Sequence, residues 1–314
     1  MKTTFLFPGQ GSQSLKMGYD IYNTYPEAKA IFEEADSILS KNLTSIIFGD
    51  DIDLLNKTEN SQLAIFTTSM AILKVIKKQT GKNINDLCSF VAGHSLGEYS
   101  ALTACNSLNF TDTLNLLNIR STAMAEAGNI TKGAMMAIIG LDIDTIKDIC
   151  KTASTQNSKC SVANDNCPGQ VVISGNIEAI KKAEIIAKEK NAKRAIILPV
   201  SIAAHCHIME PTQIKLKNTL DTITVNKPVV NFVSNRTAKT ENDINTIKSH
   251  LIEQMTSTVN YRESIDFMTN ENIEQFIEIG HGSILTNITK RCNTTATCKS
   301  LGNIKDLEEF LTNI

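Results

Sequence analysis

Residues 90–97 read Phe-Val-Ala-Gly-His-Ser-Leu-Gly, an apolar run that breaks at Gly93 into the pattern G-x-S-x-G. From Leu96 a helical spacing resumes through Ala101, Leu102, Ala104 and Cys105. This order predicts a strand, a tight turn and a helix. In that setting the pentapeptide is a nucleophile elbow, with its serine on a strained turn whose neighbours must lack bulk. The turn projects the Ser95 hydroxyl outward and aims the Leu96 amide at a developing oxyanion, and the helix adds its N-terminal dipole. A glycine-rich turn in which Ser95 only caps the helix has the same five residues, so the flanking strand and helix carry the assignment.

The rest of the chain alternates in the same way, which favours an α/β architecture. Phe5 to Phe7 is the first strand, ending in Pro8-Gly9-Gln10-Gly11, and Pro26 opens a helix with Ile31, Ala35, Ile38 and Leu39 on one face. Gln62–Lys78 is apolar on most sides and predicts a helix buried in the middle of the protein. A long helix over Thr111–Glu126 follows the elbow. Between 127 and 200 the texture changes to four short strands, Ala134–Leu141, Cys160–Asn164, Gln170–Gly175 and Ala192–Val200. Helices at Asp142–Lys151 and Ile177–Lys190 separate them, giving the order β-α-β-β-α-β of a ferredoxin-like unit. The expectation is a large α/β unit over 1–126 and 201–314, interrupted by a small unit over 127–200. After His205 come a helix, the strand Val229–Val233, a helix ending near Met255 and the strand Phe276–Ile279.

Composition removes several function classes. Of 314 residues, 42% are hydrophobic and 20% charged, which excludes a disordered chain. The 31 Lys and Arg against 33 Asp and Glu leave a net charge of −2, the wrong balance for a nucleic-acid binder. No apolar run approaches the roughly 18 residues that span a membrane. The N-terminus lacks the apolar stretch of about 7–15 residues of a signal peptide. The eight cysteines are dispersed without a C-x-x-C pair, as expected of reduced thiols in a cytoplasmic protein with no structural metal.

A nucleophilic serine needs a base. His94 precedes Ser95, so its side chain should diverge from the hydroxyl. His250 sits in a Lys-Ser-His-Leu helix and reads as a surface residue, and His207 and His281 lie in turns without obvious partners. His205 follows a strand end, Leu198-Pro199-Val200-Ser201, and precedes a helix, the place where open α/β folds gather catalytic groups. Local reasoning prefers it.

Several ordered motifs together resemble the malonyl-CoA:acyl carrier protein transacylase family of fatty-acid synthesis. Phe7-Pro8-Gly9-Gln10-Gly11-Ser12-Gln13 is similar to its F-P-G-Q-G-x-Q, and Gly93 to Glu98 to its G-H-S-L-G-E. Arg120 stands at the matching distance, Asn164 to Gly175 is similar to N-x-N-x-P-x-Q-x-V-x-S-G, and Val200–Pro211 resembles the histidine segment. The resemblance runs from Phe5 to about Arg291. It implies an α/β-hydrolase-like core with a parallel sheet, a ferredoxin-like insertion, and an active site in the groove between them. Ser95 would be the nucleophile and His205 its base, and the amides of Gln10 and Leu96 would form the oxyanion hole. Arg120 would grip the malonyl carboxylate, and the Gln254 backbone carbonyl would orient His205. Malonyl-CoA would be the substrate and holo acyl carrier protein the partner, with no bound cofactor. The chain would act as a monomer, and its start at the first strand and end after the last motif read as free-standing.

The chain departs from the family's pattern at Leu63 in Gln62-Leu63-Ala64, at Met255 to Tyr261, at Gly280-His281-Gly282 and at Ile202-Ala203-Ala204. The last of these lines the acyl pocket in the family. A serine hydrolase such as a thioesterase is the competing enzyme, and it would place a side-chain carboxylate behind His205. An inactive carrier-docking protein is the third reading, which the presence of Ser95, His205 and Arg120 disfavours. Lys193-Arg194 and Lys290-Arg291 are candidate contacts for an acidic carrier.

Overall fold

The computed structural model describes residues 1–200, 202–292 and 294–314. Ser201, where the large unit is expected to resume, lies outside the described residues. Ten strands run through those residues: β1 (Thr3–Phe7), β2 (Phe90–Gly93), β3 (Gly133–Ile139), β4 (Cys160–Cys167), β5 (Gln170–Asn176), β6 (Arg194–Ile197), β7 (Asn231–Val233), β8 (Thr240–Glu241), β9 (Gln275–Glu278) and β10 (Thr297–Ser300). They form two sheets, one of six strands in the order β10-β9-β1-β2-β7-β8 and one of four in the order β4-β5-β3-β6.

The large sheet is parallel except at its β7–β8 edge. A parallel sheet is covered on both faces, and β1 is accordingly buried at all five positions. Its register aligns Phe7 with Gly93, so the ends of β1 and β2 open together. The helix Thr58–Thr80 is buried over most of its length and ends at Gly81, whose φ of 66° supplies the left-handed cap. It packs with the helices Pro26–Leu39 and Phe110–Ile130 in one hydrophobic core. Asn109 starts the last of these by accepting the Asp112 amide at 2.8 Å.

The small sheet is antiparallel throughout. Side chains alternate along β3: Met136 and Ile138 join a separate core under the helices Ile143–Ala153 and Ile177–Glu189, while Met135 packs into the main core. The small sheet is tied to the segment before the helix Tyr261–Asn270 by a parallel bridge between Asn164 of β4 and Val259. The Asp165 amide donates to Val259 O at 3.0 Å and the Val259 amide to Ala163 O at 2.9 Å. Arg262 closes a fork on the buried Asp165 carboxylate at 2.8 Å.

Two predicted strands are shorter than their apolar runs. Val229 is exposed and pairing begins at Asn231, and the Ala192–Val200 run pairs only over Arg194–Ile197. The sequence reading had no strand at Thr297–Ser300, a polar edge strand whose alternate residues stay exposed. It also passed over the helix Tyr261–Asn270, although Tyr261, Ile265 and Met268 lie at helical spacing.

Candidate active site

The elbow forms where β2 hands over to the helix Gly97–Ala104. A Cβ on Gly93 would overlap the Gly97 carbonyl, and one on Gly97 would overlap Phe7 O. Both positions therefore exclude a side chain. Ser95 sits between them at φ 54°, in the left-handed region that serine rarely adopts. The turn is held by His94 N donating to Phe7 O at 3.0 Å and by Asn235 Oδ1 accepting the Ser95 amide at 2.8 Å.

The Ser95 hydroxyl lies 2.8 Å from His205 Nε2. His205 Nδ1 lies 2.8 Å from the backbone carbonyl of Gln254, which can only accept, so Nδ1 carries the proton and Nε2 is the acceptor for serine. His205 is buried, and this pushes its imidazole down to about 3 despite the Gln254 carbonyl, which favours the charged form. The ring is neutral at physiological pH. His205 also has a positive φ, 60°.

Arg120 reaches the same point from the helix Phe110–Ile130 and is only 1% exposed. It donates to Ser95 Oγ at 3.1 Å, to Gln254 Oε1 at 3.0 Å and to Gln62 Oε1. Its guanidinium lies 5.3 Å from the Tyr99 ring centroid. Among the described residues no carboxylate comes within ion-pair distance of it, and its Nε has no partner. Burial lowers the Arg120 pKa from its ordinary value, and guanidinium basicity nonetheless keeps it charged. A buried cation held only by neutral acceptors is under-compensated until an anion arrives.

Ser95 and His205 open onto a groove of about 710 Å³ between the two sheets, lined also by Gln10, Met135 and Leu198 among others. Gln10 lies in the loop after β1, facing the elbow. Neither the Gln10 nor the Leu96 amide has an acceptor among the described residues, which leaves both N–H groups for a ligand oxygen. No cluster of three or more potential metal ligands occurs among those residues.

The structure thus brings Ser95, His205, Arg120 and Gln254 into one cluster, with Ser95 and His205 at the groove. His94 diverges from the serine, its Nε2 2.8 Å from Asn166 Oδ1 and its ring against Tyr261. Three expectations for the other histidines need correction. His250 is half-buried with Nδ1 3.1 Å from Ser234 Oγ, His207 Nε2 lies 3.0 Å from Asn176 Oδ1, and His281 Nε2 lies 2.7 Å from Ser14 Oγ. His250 and His281 each partner a loop serine, and His207 partners the last residue of β5. Sequence reasoning gave no role to Gln62, Glu98, Asn235 or the side-chain amide of Gln254. Asn235 follows a parallel strand, β7, so the rule that strand ends carry the chemistry had a signal for it. Nothing local marks Gln62.

Comparison with known proteins agrees with this arrangement. A family model described as acyl transferase domain matches residues 4–314. The malonyl CoA-acyl carrier protein transacylase of Bacillus subtilis (strain 168) is 41% identical over 292 residues, covering 93% of this chain and 90% of that protein. The protein of that name from Escherichia coli (strain K12) is 39% identical over 297 residues, covering 95% and 94%. Among solved structures, the acyl-carrier-protein-S-malonyltransferase from Bartonella henselae superposes with a TM-score of 0.95 at 39% identity, covering 100% of this chain and 99% of that one. A malonyl-transacylase solved in complex with a holo type II PKS acyl-carrier protein gives 0.94 at 36% identity, with 100% of each chain covered. With the motifs, the fold and the buried cluster in agreement, the chain belongs to the acyl transferase domain family and, within it, to the malonyl CoA-acyl carrier protein transacylases.

Proposed function

We propose that the chain transfers a malonyl group from malonyl-CoA to the phosphopantetheine thiol of acyl carrier protein through an acyl-serine intermediate. The observation that carries this reading is Arg120: a buried cation with no carboxylate in direct contact, 3.1 Å from the hydroxyl of Ser95, which lines the groove. The free carboxylate of a malonyl thioester supplies the missing charge and displaces the neutral acceptors Gln62 and Gln254. An acetyl group leaves the cation uncompensated, which costs about 1.5–3 kcal/mol, or roughly tenfold to more than a hundredfold in rate. Arginine suits the task because its planar fork matches both carboxylate oxygens.

In the first half-reaction His205 Nε2 takes the Ser95 proton as Oγ attacks the thioester carbon. The amides of Gln10 and Leu96 hold the resulting oxyanion, and the C–S bond breaks as His205 returns the proton to the CoA sulfur. The carrier thiol then repeats these steps on the acyl-serine in reverse, giving ping-pong kinetics. A backbone carbonyl behind His205, where the thioesterase reading wants a carboxylate, supports transfer over hydrolysis. Lys193-Arg194 and Lys290-Arg291 flank groove-lining segments and would meet an acidic carrier.

The same reading takes the large unit (1–126 and 201–314) as α/β-hydrolase-like and the small one (127–200) as ferredoxin-like. The order of the small sheet, second-third-first-fourth in its own count, supports the latter. A monomer working in the cytoplasm completes the reading. All eight cysteines are free, and no described helix is long and apolar enough to cross a membrane.

Intact mass after brief incubation with malonyl-CoA tests the proposal. A malonyl adduct on the wild type, absent from Ser95→Ala and discharged by holo acyl carrier protein, is the expected result. An adduct that decays equally fast without carrier identifies a hydrolase instead. An adduct from acetyl-CoA but none from malonyl-CoA overturns the role of Arg120.

A further inference from the structure

Glu98 is fully buried on the first turn of the helix after the elbow, three residues beyond the nucleophile. One carboxylate oxygen accepts the Asn235 backbone amide at 2.8 Å, and the other accepts the Gln254 side-chain amide. Several other polar ends of these two partners meet the reacting centre. Gln254 Nε2 also donates to Ser95 O at 3.0 Å, its Oε1 accepts Arg120 at 3.0 Å, and its backbone carbonyl accepts His205 Nδ1–H at 2.8 Å. Asn235 Oδ1 accepts the Ser95 amide at 2.8 Å.

We propose that Glu98 is the positioning residue of this site: its carboxylate pins the Gln254 side chain, and so holds the Gln254 carbonyl where it aligns His205 with Ser95. The assignment rests on Ser95 and His205 as nucleophile and base.

Gln254 needs such a pin because of where it lies. It is the cap residue just past the helix Ile244–Glu253, so its carbonyl is among those that no later turn of the helix holds. An amide nitrogen has two hydrogens to place. Ser95 O takes one, and an acceptor-only group must take the other. A carboxylate meets that requirement, whereas a side-chain amide at position 98 turned the same way sets donor against donor. The charge has a second use, since it stands one amide away from the under-compensated Arg120. Burial pushes the Glu98 carboxyl up to about 7, against the Asn235 and Gln254 donors that favour its ionised form. A merely space-filling residue at this point would be apolar, since a buried carboxylate costs stability unless its bonds are used.

The test labels Ser95 with a fluorophosphonate, which needs the serine–histidine pair but carries no carboxylate for Arg120, and reads the adduct by intact mass over time. Glu98→Gln is expected to slow labelling about tenfold to a hundredfold, the effect of losing one hydrogen bond to a buried charge. In malonyl transfer to holo acyl carrier protein the same variant lowers kcat by a similar factor, while any change in KM reports on Arg120, which the fluorophosphonate does not use. Gln254→Leu removes the pinned side chain but keeps the carbonyl, and is expected to lose as much. The double variant loses no more than the worse single one, because the two residues act as one link. Labelling of Glu98→Gln within about twofold of wild type overturns the proposal, as do losses that multiply in the double variant. Should Glu98→Gln not fold, Gln254→Leu decides: labelling within about twofold of wild type overturns the link. Labelling of a Ser95→Ala control would overturn the nucleophile assignment itself, an outcome distinct from failure of Glu98 alone.

Discussion

The elbow at residues 93–97 and the histidine segment at 202–206 solve the same problem by different means. Each holds one functional side chain on a residue with positive φ, Ser95 at 54° and His205 at 60°. Such a conformation costs on the order of 1–3 kcal/mol in each case. At the elbow the cost is imposed locally: the backbone of Gly97 rests against Phe7, Gly93 rests against Gly97, and no Cβ fits at either glycine. The histidine segment contains no glycine. Its neighbours reach it from elsewhere in the chain: Gln254 O holds the ring at 2.8 Å, and Gly133, at the start of β3, leaves room for Ala203. Strain that local backbone enforces can be recognised from a pentapeptide. Strain that packing enforces depends on residues 49 and 70 positions away in sequence, at Gln254 and Gly133.

Substitutions at the two glycines should break this contrast in different ways. Gly97→Ala places a methyl group on the Phe7 carbonyl, which belongs to the rigid parallel sheet. Overpacking there is expected to cost about 3 kcal/mol or more, read as a large fall in the denaturant midpoint with loss of Ser95 labelling. Gly133→Ala sets its Cβ 2.5 Å from the Ala203 Cβ and 2.7 Å from Ile208 Cδ1, both on the histidine segment and its following turn. The Gly175 carbonyl of β5 lies 2.8 Å away as well, but no backbone atom comes as close as the 2.0 Å of Phe7 O at Gly97. The expected cost is about 1–2 kcal/mol in stability, with kcat falling more than stability accounts for. Equal losses at the two positions, in both readouts, would show that the histidine segment is as locally fixed as the elbow.

The smallest effect concerns pH. Because burial holds His205 near 3, its own protonation should end Ser95 labelling only as pH falls through about 3, whereas protonation of Glu98 should already weaken labelling as pH falls through about 7. A fall near 6.5 that persists in Glu98→Gln would place His205 in water, contrary to its packing. The stability linkage has the same sign. The unfolded chain takes up the His205 proton first, so stability present above 6.5 is lost as pH falls toward about 3. Glu98 works oppositely, because its folded value of about 7 lies above its ordinary 4.5. Its contribution is present below 4.5 and is lost as pH rises through about 7. Between 4.5 and 6.5 the two offset, and Glu98→Gln should uncover the His205 slope in the pH dependence of unfolding.

How far the site was legible follows from the same distinction. Ser95 and the Leu96 amide could be read from a strand, a turn and a helix in eight residues. His205 needed only the rule that catalytic groups gather at strand ends. Arg120 was different. Local reasoning could see only a charge on a helix, and family resemblance was needed to give it a role. Gln62 and Glu98 lay inside quoted motifs without a role, because their work is to complete hydrogen bonds of residues far away in the chain. The edge strand Thr297–Ser300 escaped because a polar edge pairs through its backbone and leaves little hydrophobic period to find.

Sequence by itself determined the alternation of strands and helices, the run of short strands between 127 and 200, and the elbow, since each depends on residues within a few turns of one another. Only the tertiary structure decided that Arg120 is a buried cation with no carboxylate in direct contact, and set the Gln254 carbonyl 2.8 Å from His205 Nδ1. It alone joined Glu98 to both of them through Gln254. Burial and hydrogen-bond partnership are properties of what the whole chain brings together in space, and no window of the sequence contains them.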